Sequence, residues 1–195
     1  MVVSGKPRLN GGFSLIELLV VIAILGILMR MAWLPFREMM ANQRLRSVTS
    51  DLVADLALAR VEAIKRSSRV GVARTTAAWG GGWVVFDDVD RDGTFDPETD
   101  GDGLCEAGEE CVLASRPALD ATVNVCSADA AFDVLTFGAD GAVRAYNAGA
   151  LVDPTLRITF TVSSTFTSAG VPARQLEFSP TGRVAVVSAG VAACP

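Results

Sequence analysis

A short acidic stretch supplies the first candidate site in this chain. Its opening follows the pattern of a calcium-binding loop, in which alternate side chains give oxygen ligands and a glycine allows a sharp turn; the matching residues are Asp88, Asp90, Asp92 and Gly93. The glutamate that closes such a loop is missing, because Thr99 stands at that position. Asp96 is then the predicted fourth ligand, with Asp100 and Asp102 as further oxygen donors. A solvated acidic loop without a metal is the alternative, and the sequence leaves both interpretations open.

The acidic residues of the chain are concentrated in this segment. Of the 22 acidic residues, half lie between Asp87 and Glu110, where Arg91 is the one basic residue. The remainder of the chain carries more basic than acidic residues. The net charge of −5 therefore describes one loop and not the whole surface.

A second candidate is Glu17, a carboxylate within the apolar run that begins at Phe13. An acidic side chain inside a bilayer costs roughly 2.5–3.5 kcal/mol, so its presence there indicates a function. Residues 18–29 follow without a charge, and Lys6 and Arg8 precede the run. Because positive charge is retained on the cytoplasmic side, we expect the N-terminus in the cytoplasm. The part of the chain that follows the apolar run is then expected on the opposite side of the membrane.

The composition argues against catalysis. The chain has no histidine, which excludes Ser-His-Asp and Cys-His nucleophile systems and mixed histidine–cysteine zinc sites. We therefore expect no enzymatic activity and no cofactor other than calcium.

The cysteines are predicted to form disulfide bonds, because their number is even and the body of the chain lies outside the membrane. Four cysteines allow three pairings. Proximity favours Cys105 with Cys111, which would close the acidic loop, and leaves Cys126 with Cys194. A four-cysteine zinc site is the alternative, although the paired Cys-x-x-Cys spacing is absent.

The hydrophobic periodicity predicts an α+β fold that begins with a long helix. We expect a kink at Pro35, which lacks the N–H that would bond the preceding turn. Beyond it, apolar residues recur at steps of three and four and predict a helix face that a sheet covers: Leu45, Val48, Leu52, Leu56, Ala59 and Ala63. The charged residues of this segment are assigned to the solvent face: Arg44, Arg46, Asp51, Asp55, Arg60, Glu62 and Lys65.

After Ser68 the period changes to two, which predicts an antiparallel sheet packed on the second half of the helix. The predicted strands are 69–75, 82–86, 111–115, 122–126, 133–137, 142–146, 156–163, 174–178 and 183–188. The predicted organisation is a leader (1–12), a transmembrane and assembly helix (13–36), an amphipathic second half of the helix (37–68) and a β-rich globular domain (69–195) with the acidic loop 87–110.

The sequence Gly-Phe-x-x-x-Glu at Gly12, Phe13 and Glu17, after a basic leader, resembles the class III signal of type IV pilins and pseudopilins. An ordinary secretory signal is cut after its apolar region at small residues, and no such site follows here. The resemblance implies that a prepilin peptidase cleaves between Gly12 and Phe13 and methylates the new amino group of Phe13. It also implies that Glu17 pairs with this amino group on a neighbouring subunit.

Three further segments, 51–66, 82–88 and 178–184, resemble the GspH/FimT family. This family comprises minor pseudopilins of type II secretion and minor pilins of type IV pili. The chain departs from the family pattern at Val61, where a serine is common. It also lacks a cysteine at the end of the first predicted strand, and its acidic loop is longer than usual.

The resemblance implies a minor pseudopilin of a type II secretion pseudopilus, assembled by helix packing near the filament tip and assisting protein secretion. The alternative is a type IV pilus minor pilin used in fibre initiation, adhesion or DNA uptake. The implied partners are other pseudopilins or minor pilins, prepilin peptidase and the inner-membrane assembly platform. The implied location is a single pass through the bacterial inner membrane with a periplasmic C-terminal domain, and then the filament. A membrane-anchored calcium-binding or adhesive module outside any filament is the rival interpretation.

Nucleic acid is not an expected partner. Some members of the resembling family bind DNA through a basic C-terminal region, whereas here no lysine or arginine follows Arg183. Affinity for DNA increases with the number of phosphates that a protein neutralises, so a lone arginine contributes little.

Overall fold

The computed structural model describes residues 13–96, 109–127, 131–153, 158–166, 168 and 170–190. The chain divides into two compact units, Met1–Arg37 and Glu38–Pro195. Helix α1 (Leu15–Arg66) contributes residues to both units, and Pro35 lies within it.

The described part of the first unit is helical from Leu15, and its large apolar side chains are exposed. The exposed fraction is 83% for Phe13 and 63% for Trp33. By length and composition this helix is apolar enough to cross a membrane. A helix that is apolar on all sides is typical of a segment surrounded by lipid or by other apolar helices.

The second unit contains the remainder of α1 and, within the described residues, ten short strands. Their bounds are β1 (Arg69–Arg74), β2 (Trp83–Asp88), β3 (Val112–Arg116), β4 (Val123–Ser127), β5 (Val134–Phe137), β6 (Val143–Asn147), β7 (Ala150–Leu151), β8 (Thr159–Ser164), β9 (Arg174–Phe178) and β10 (Val184–Ser188). A 3-10 turn at Trp79–Gly81 separates β1 from β2. The sequence predicted each of these strands except β7.

The strands form two antiparallel sheets. One sheet has six strands in the order β3-β2-β1-β5-β6-β7, and the other has four in the order β10-β9-β8-β4. The α+β class and the long N-terminal helix are confirmed. The division into two sheets was not predicted, because alternation within a strand identifies its buried face but not its neighbours.

The predicted apolar face of α1 lies in the core of the second unit. Leu45, Leu52 and Leu56 are at most 1% exposed. They share one apolar cluster with Leu135 of the six-stranded sheet and Phe160 of the four-stranded sheet. Full burial of a side chain of this size contributes about 1.5–3 kcal/mol. The helix and both sheets are therefore held together by a common core.

One residue that the periodicity assigned to the solvent face is buried. Asp55 is 4% exposed. Its carboxylate accepts hydrogen bonds from Trp83 Nε1 at 2.9 Å and from Arg116 Nε at 2.8 Å. These donors satisfy a carboxylate that would be costly to bury alone. The prediction for Asp55 was wrong because its partners come from β2 and β3, which the helical pattern does not reveal.

Candidate functional site

The end of β2 and the start of β3 position the candidate metal site. The backbone N–H of Asp87 donates a hydrogen bond to the carbonyl oxygen of Cys111 at 3.0 Å. Strand β2 ends at Asp88, and Glu110 immediately precedes Cys111. The antiparallel pairing of the two strands therefore brings Glu110 beside Asp88.

Four carboxylates converge at this place. One oxygen from each of Asp88, Asp90, Asp92 and Glu110 lies within 4.8 Å of the others. Asp88 is 1% exposed and Glu110 is 8% exposed, whereas Asp90 and Asp92 are exposed. The group, called the carboxylate cluster below, is half buried and offers only oxygen donors.

The cluster contains three of the four predicted ligands, and Glu110 takes the place assigned to Asp96. The backbone N–H of Asp96 donates a hydrogen bond to Glu110 Oε2 at 2.7 Å. The Asp96 carboxylate accepts a longer hydrogen bond, of 3.4 Å, from Thr94 Oγ1. Asp96 therefore orients Glu110 and is not itself in the cluster. The further candidates Asp100 and Asp102 lie outside the described residues.

The sequence analysis did not predict Glu110, because it expected the closing ligand at the spacing of one continuous calcium-binding loop. A different signal was present in the sequence. If the predicted strands 82–86 and 111–115 pair as antiparallel neighbours, the residue before the second strand lies close to the residues that follow the first. Such a pairing places Glu110 near Asp88.

The backbone around Asp92 turns sharply. The Asp92 N–H donates to Asp90 Oδ1 at 3.1 Å, and the Thr94 N–H donates to Asp92 Oδ1 at 2.7 Å. Gly93 has φ of 77°, and a Cβ at this position would lie 2.5 Å from Cδ1 of Tyr146. Both the positive φ and the close approach of the aromatic ring require glycine here.

Two oxygens of the buried carboxylates are held by the surrounding protein. Arg69 faces Asp88 across the β1–β2 pair, and its Nη1 donates to Asp88 Oδ2 at 3.2 Å and to the carbonyl oxygen of Arg91 at 2.7 Å. Glu110 Oε2 accepts the Asp96 N–H. The other two oxygens, Asp88 Oδ1 and Glu110 Oε1, are buried and have no hydrogen-bond partner among the described residues.

The electrostatics follow from this burial. Desolvation, together with the charges of Asp88, Asp90 and Asp92, raises the pKa of Glu110 to about 7, against the lowering effect of the Asp96 N–H. Desolvation also raises the pKa of Asp88, opposed by the Arg69 guanidinium. Both shifts arise because the negative form of a buried carboxylate loses its hydration.

Two of the four cysteines predicted to form disulfides lie among the described residues. Neither Cys111 nor Cys126 is a free thiol. Their predicted partners Cys105 and Cys194 lie outside the described residues. The pairings therefore stay predictions.

The predicted processing site lies at the other end of the chain. Gly12 lies outside the described residues, Phe13 precedes α1 with its side chain exposed, and Glu17 is in the first turn of the helix. Cleavage, methylation and the pairing of Glu17 stay predictions from the sequence.

The family of the chain is decided by a match that lies within the second unit. A family model described as type II transport protein GspH matches residues 48–192. The chain belongs to this family. The resemblance inferred from segments 51–66, 82–88 and 178–184 is thereby confirmed. A second model, the prokaryotic N-terminal methylation motif, matches residues 7–32 of this GspH-family chain.

One solved structure supports the same fold. A crystal structure of the type IV minor pilin FimU of Pseudomonas aeruginosa superposes with a TM-score of 0.52 at 22% identity, covering 74% of this chain and 89% of that chain. A second crystal form of the same protein gives a TM-score of 0.49 at 22% identity, covering 73% of this chain and 91% of that chain. Comparison with curated proteins gives no match. The fold is pilin-like, and the family and the methylation motif identify a minor pilin or pseudopilin.

Proposed function

We propose that this GspH-family chain is a minor pseudopilin of a type II secretion pseudopilus, where it packs by its N-terminal helix near the filament tip and assists protein secretion. The observation that carries the proposal is the exposed apolar helix with Glu17 in its first turn, joined to a domain that matches the GspH family. The methylation motif matches residues 7–32 and so includes the first turns of the same helix.

The proposed assembly mechanism rests on one charge pair. Cleavage after Gly12 would leave an ammonium on Phe13, and methylation of this amine would preserve its charge. An isolated carboxylate or ammonium in an apolar medium is costly, whereas the two together offset much of that cost. Glu17 of one subunit and Phe13 of the next would therefore favour the packing of neighbouring helices as they leave the lipid.

Processing is tested on the mature protein. Chain isolated from host membranes and analysed by mass spectrometry should begin with an N-methylated Phe13. A mature chain that still carries residues 1–12 would contradict the proposal.

Assembly is tested by Glu17→Gln, which keeps the side-chain shape and removes the charge. This variant should be cleaved at Gly12 yet be largely absent from sheared filaments, because the ammonium of the neighbouring subunit has lost its partner. Ser14→Ala is the matched control, since it changes the same turn without removing a charge, and it should assemble like the wild type. Equal incorporation of both variants would refute the role of Glu17.

Deleting the gene for this chain distinguishes a type II secretion system from a type IV pilus. Loss of secreted proteins from the medium with surface pili retained is the expected result. The second candidate is a minor pilin of a type IV pilus, the class of protein to which FimU, a chain of similar fold, is assigned. It predicts the opposite outcome, namely that surface pili are lost while secretion continues.

A further inference from the structure

We propose that Asp88, Asp90, Asp92 and Glu110 bind one calcium ion. The proposal concerns the second unit and does not depend on which filament contains the chain. It rests on the convergence of four carboxylates and on two buried oxygens within that group that the described protein leaves without a hydrogen bond.

The two unpartnered oxygens are the central observation. Buried polar atoms are almost always hydrogen-bonded, and leaving one unsatisfied is destabilising, most of all for a charged group. Asp88 Oδ2 accepts a hydrogen bond from Arg69 and Glu110 Oε2 accepts one from the Asp96 N–H, and the Gly93 N–H also lies near the Asp88 carboxylate. The oxygen that remains on each, Oδ1 and Oε1, is buried. A cation held by the carboxylate cluster would bind both of these oxygens and remove the penalty.

The charge of the cluster favours the same conclusion. When all four carboxylates are ionised they carry four negative charges, and Arg69, paired with Asp88 at 3.2 Å, supplies one positive charge. Like charges this close oppose one another strongly when partly removed from water. A bound water would satisfy a hydrogen bond but not the charge, whereas a divalent cation satisfies both.

The donor set favours calcium among the divalent cations. All four ligands are carboxylate oxygens, and zinc and its neighbours prefer nitrogen and sulfur ligands. Magnesium requires a near-ideal octahedron and retains several of its waters, whereas calcium accepts six to eight oxygens in irregular geometry. Asp90 and Asp92 are exposed, so water can complete the coordination shell on that side.

The position of the ligands predicts what the ion does. Asp88 is the last residue of β2, and Glu110 lies just before β3. An ion bound by both residues would link the end of β2 to the start of β3. Calcium should therefore stabilise this edge of the six-stranded sheet, and thermal unfolding should shift upward in its presence.

The experiment uses the full chain in detergent micelles, stripped of metal with a chelator and titrated calorimetrically with calcium chloride. We expect one ion per chain. Glu110→Gln keeps the side-chain volume and removes a ligand charge, so calcium affinity should fall by roughly tenfold or more. Asp92→Asn tests an exposed ligand whose replacement does not disturb the core, and its affinity should fall likewise. Glu177→Gln on β9, in the other sheet, is the matched control and should bind calcium like the wild type.

Three results would overturn the proposal. The first is the absence of binding heat at millimolar calcium in wild-type protein that is folded by circular dichroism. The second is wild-type calcium affinity in both Glu110→Gln and Asp92→Asn. The third is magnesium binding as tight as calcium binding, which would remove the assignment to calcium.

Discussion

The indole N–H of Trp83 donates a hydrogen bond to Oδ2 of Asp55 across 2.9 Å, in the core of the second unit. The same carboxylate is held from the other side by Arg116, with Nε at 2.8 Å from Oδ2 and Nη2 at 3.2 Å from Oδ1. Helix α1, β2 and β3 thus meet at one buried carboxylate. This polar contact fixes the position of β2, the strand that ends at the carboxylate cluster.

Replacing Asp55 by alanine should destabilise the second unit by about 2–4 kcal/mol, because it leaves the buried Trp83 N–H without an acceptor and Arg116 without its partner. Chemical denaturation of the full chain in detergent micelles, followed by tryptophan fluorescence, measures the loss. The transition should move to lower denaturant concentration with its slope retained.

Asp51→Ala provides the control for the Asp55 variant. Asp51 also faces Arg116, but its side chain is 46% exposed and the two atoms are 3.9 Å apart. Exposed pairs of this kind contribute about 0–1 kcal/mol. Equal destabilisation by the two variants would show that the buried contact has no special importance.

The sequence predicted the elements of the fold better than their arrangement. Leu45, Leu52 and Leu56 were placed correctly on the buried face of α1, because a helical period of 3.6 residues is a local property. Asp55 was misplaced because its burial depends on Trp83 and Arg116, which are remote in sequence. The division of strands into two sheets depends on non-local pairing in the same way.

The candidate metal site shows the same limit. The alternating spacing of Asp88, Asp90 and Asp92 was enough to nominate three carboxylates of one loop, and the structure places them together. Glu110 comes from the start of another strand, so its place was decided by the β2–β3 pairing. Local spacing therefore indicated the three cluster members that lie in one loop and did not indicate Glu110, which a strand pairing brings beside them.

Gly71→Ala should destabilise the second unit by about 1–3 kcal/mol through overpacking. Gly71 lies opposite Phe86 in the β1–β2 pair, and a Cβ at this position would lie 2.3 Å from two atoms of the Phe86 ring. Phe86 is fully buried and packs against Phe95 with ring centroids 5.0 Å apart. The ring therefore has little room to move. Thermal unfolding of the full chain measures the effect.

Gly80→Ala is the matched control for this substitution. A Cβ at Gly80 would meet no atom within 4 Å, so the change in stability should stay within about 0.5 kcal/mol. If Gly80→Ala lowered the stability as much as Gly71→Ala, the loss of stability would come from reduced backbone freedom and not from contact with Phe86.

The stability of the metal-free chain should fall as the pH rises through the titration range of Glu110. Its pKa is about 7 in the folded chain against an ordinary value of 4.5. Between these values the folded state retains a proton that the unfolded state has lost, so stability is full below the ordinary value and decreases up to about pH 7. The facing charges are Asp88, Asp90 and Asp92, with Arg69 on Asp88. Partial solvent screening limits the expected loss to about 2 kcal/mol.

Glu110→Gln tests this dependence directly, because glutamine resembles the protonated acid and does not titrate. Denaturation in excess chelator at a series of pH values should show a flatter profile for this variant than for the wild type between pH 4.5 and 7. The variant should also be the more stable of the two at neutral pH, since it removes a buried charge. Glu177→Gln, whose carboxylate lies on β9 of the other sheet, should retain the wild-type slope. A slope unchanged in Glu110→Gln would assign the pH dependence to other groups and contradict the raised pKa of Glu110.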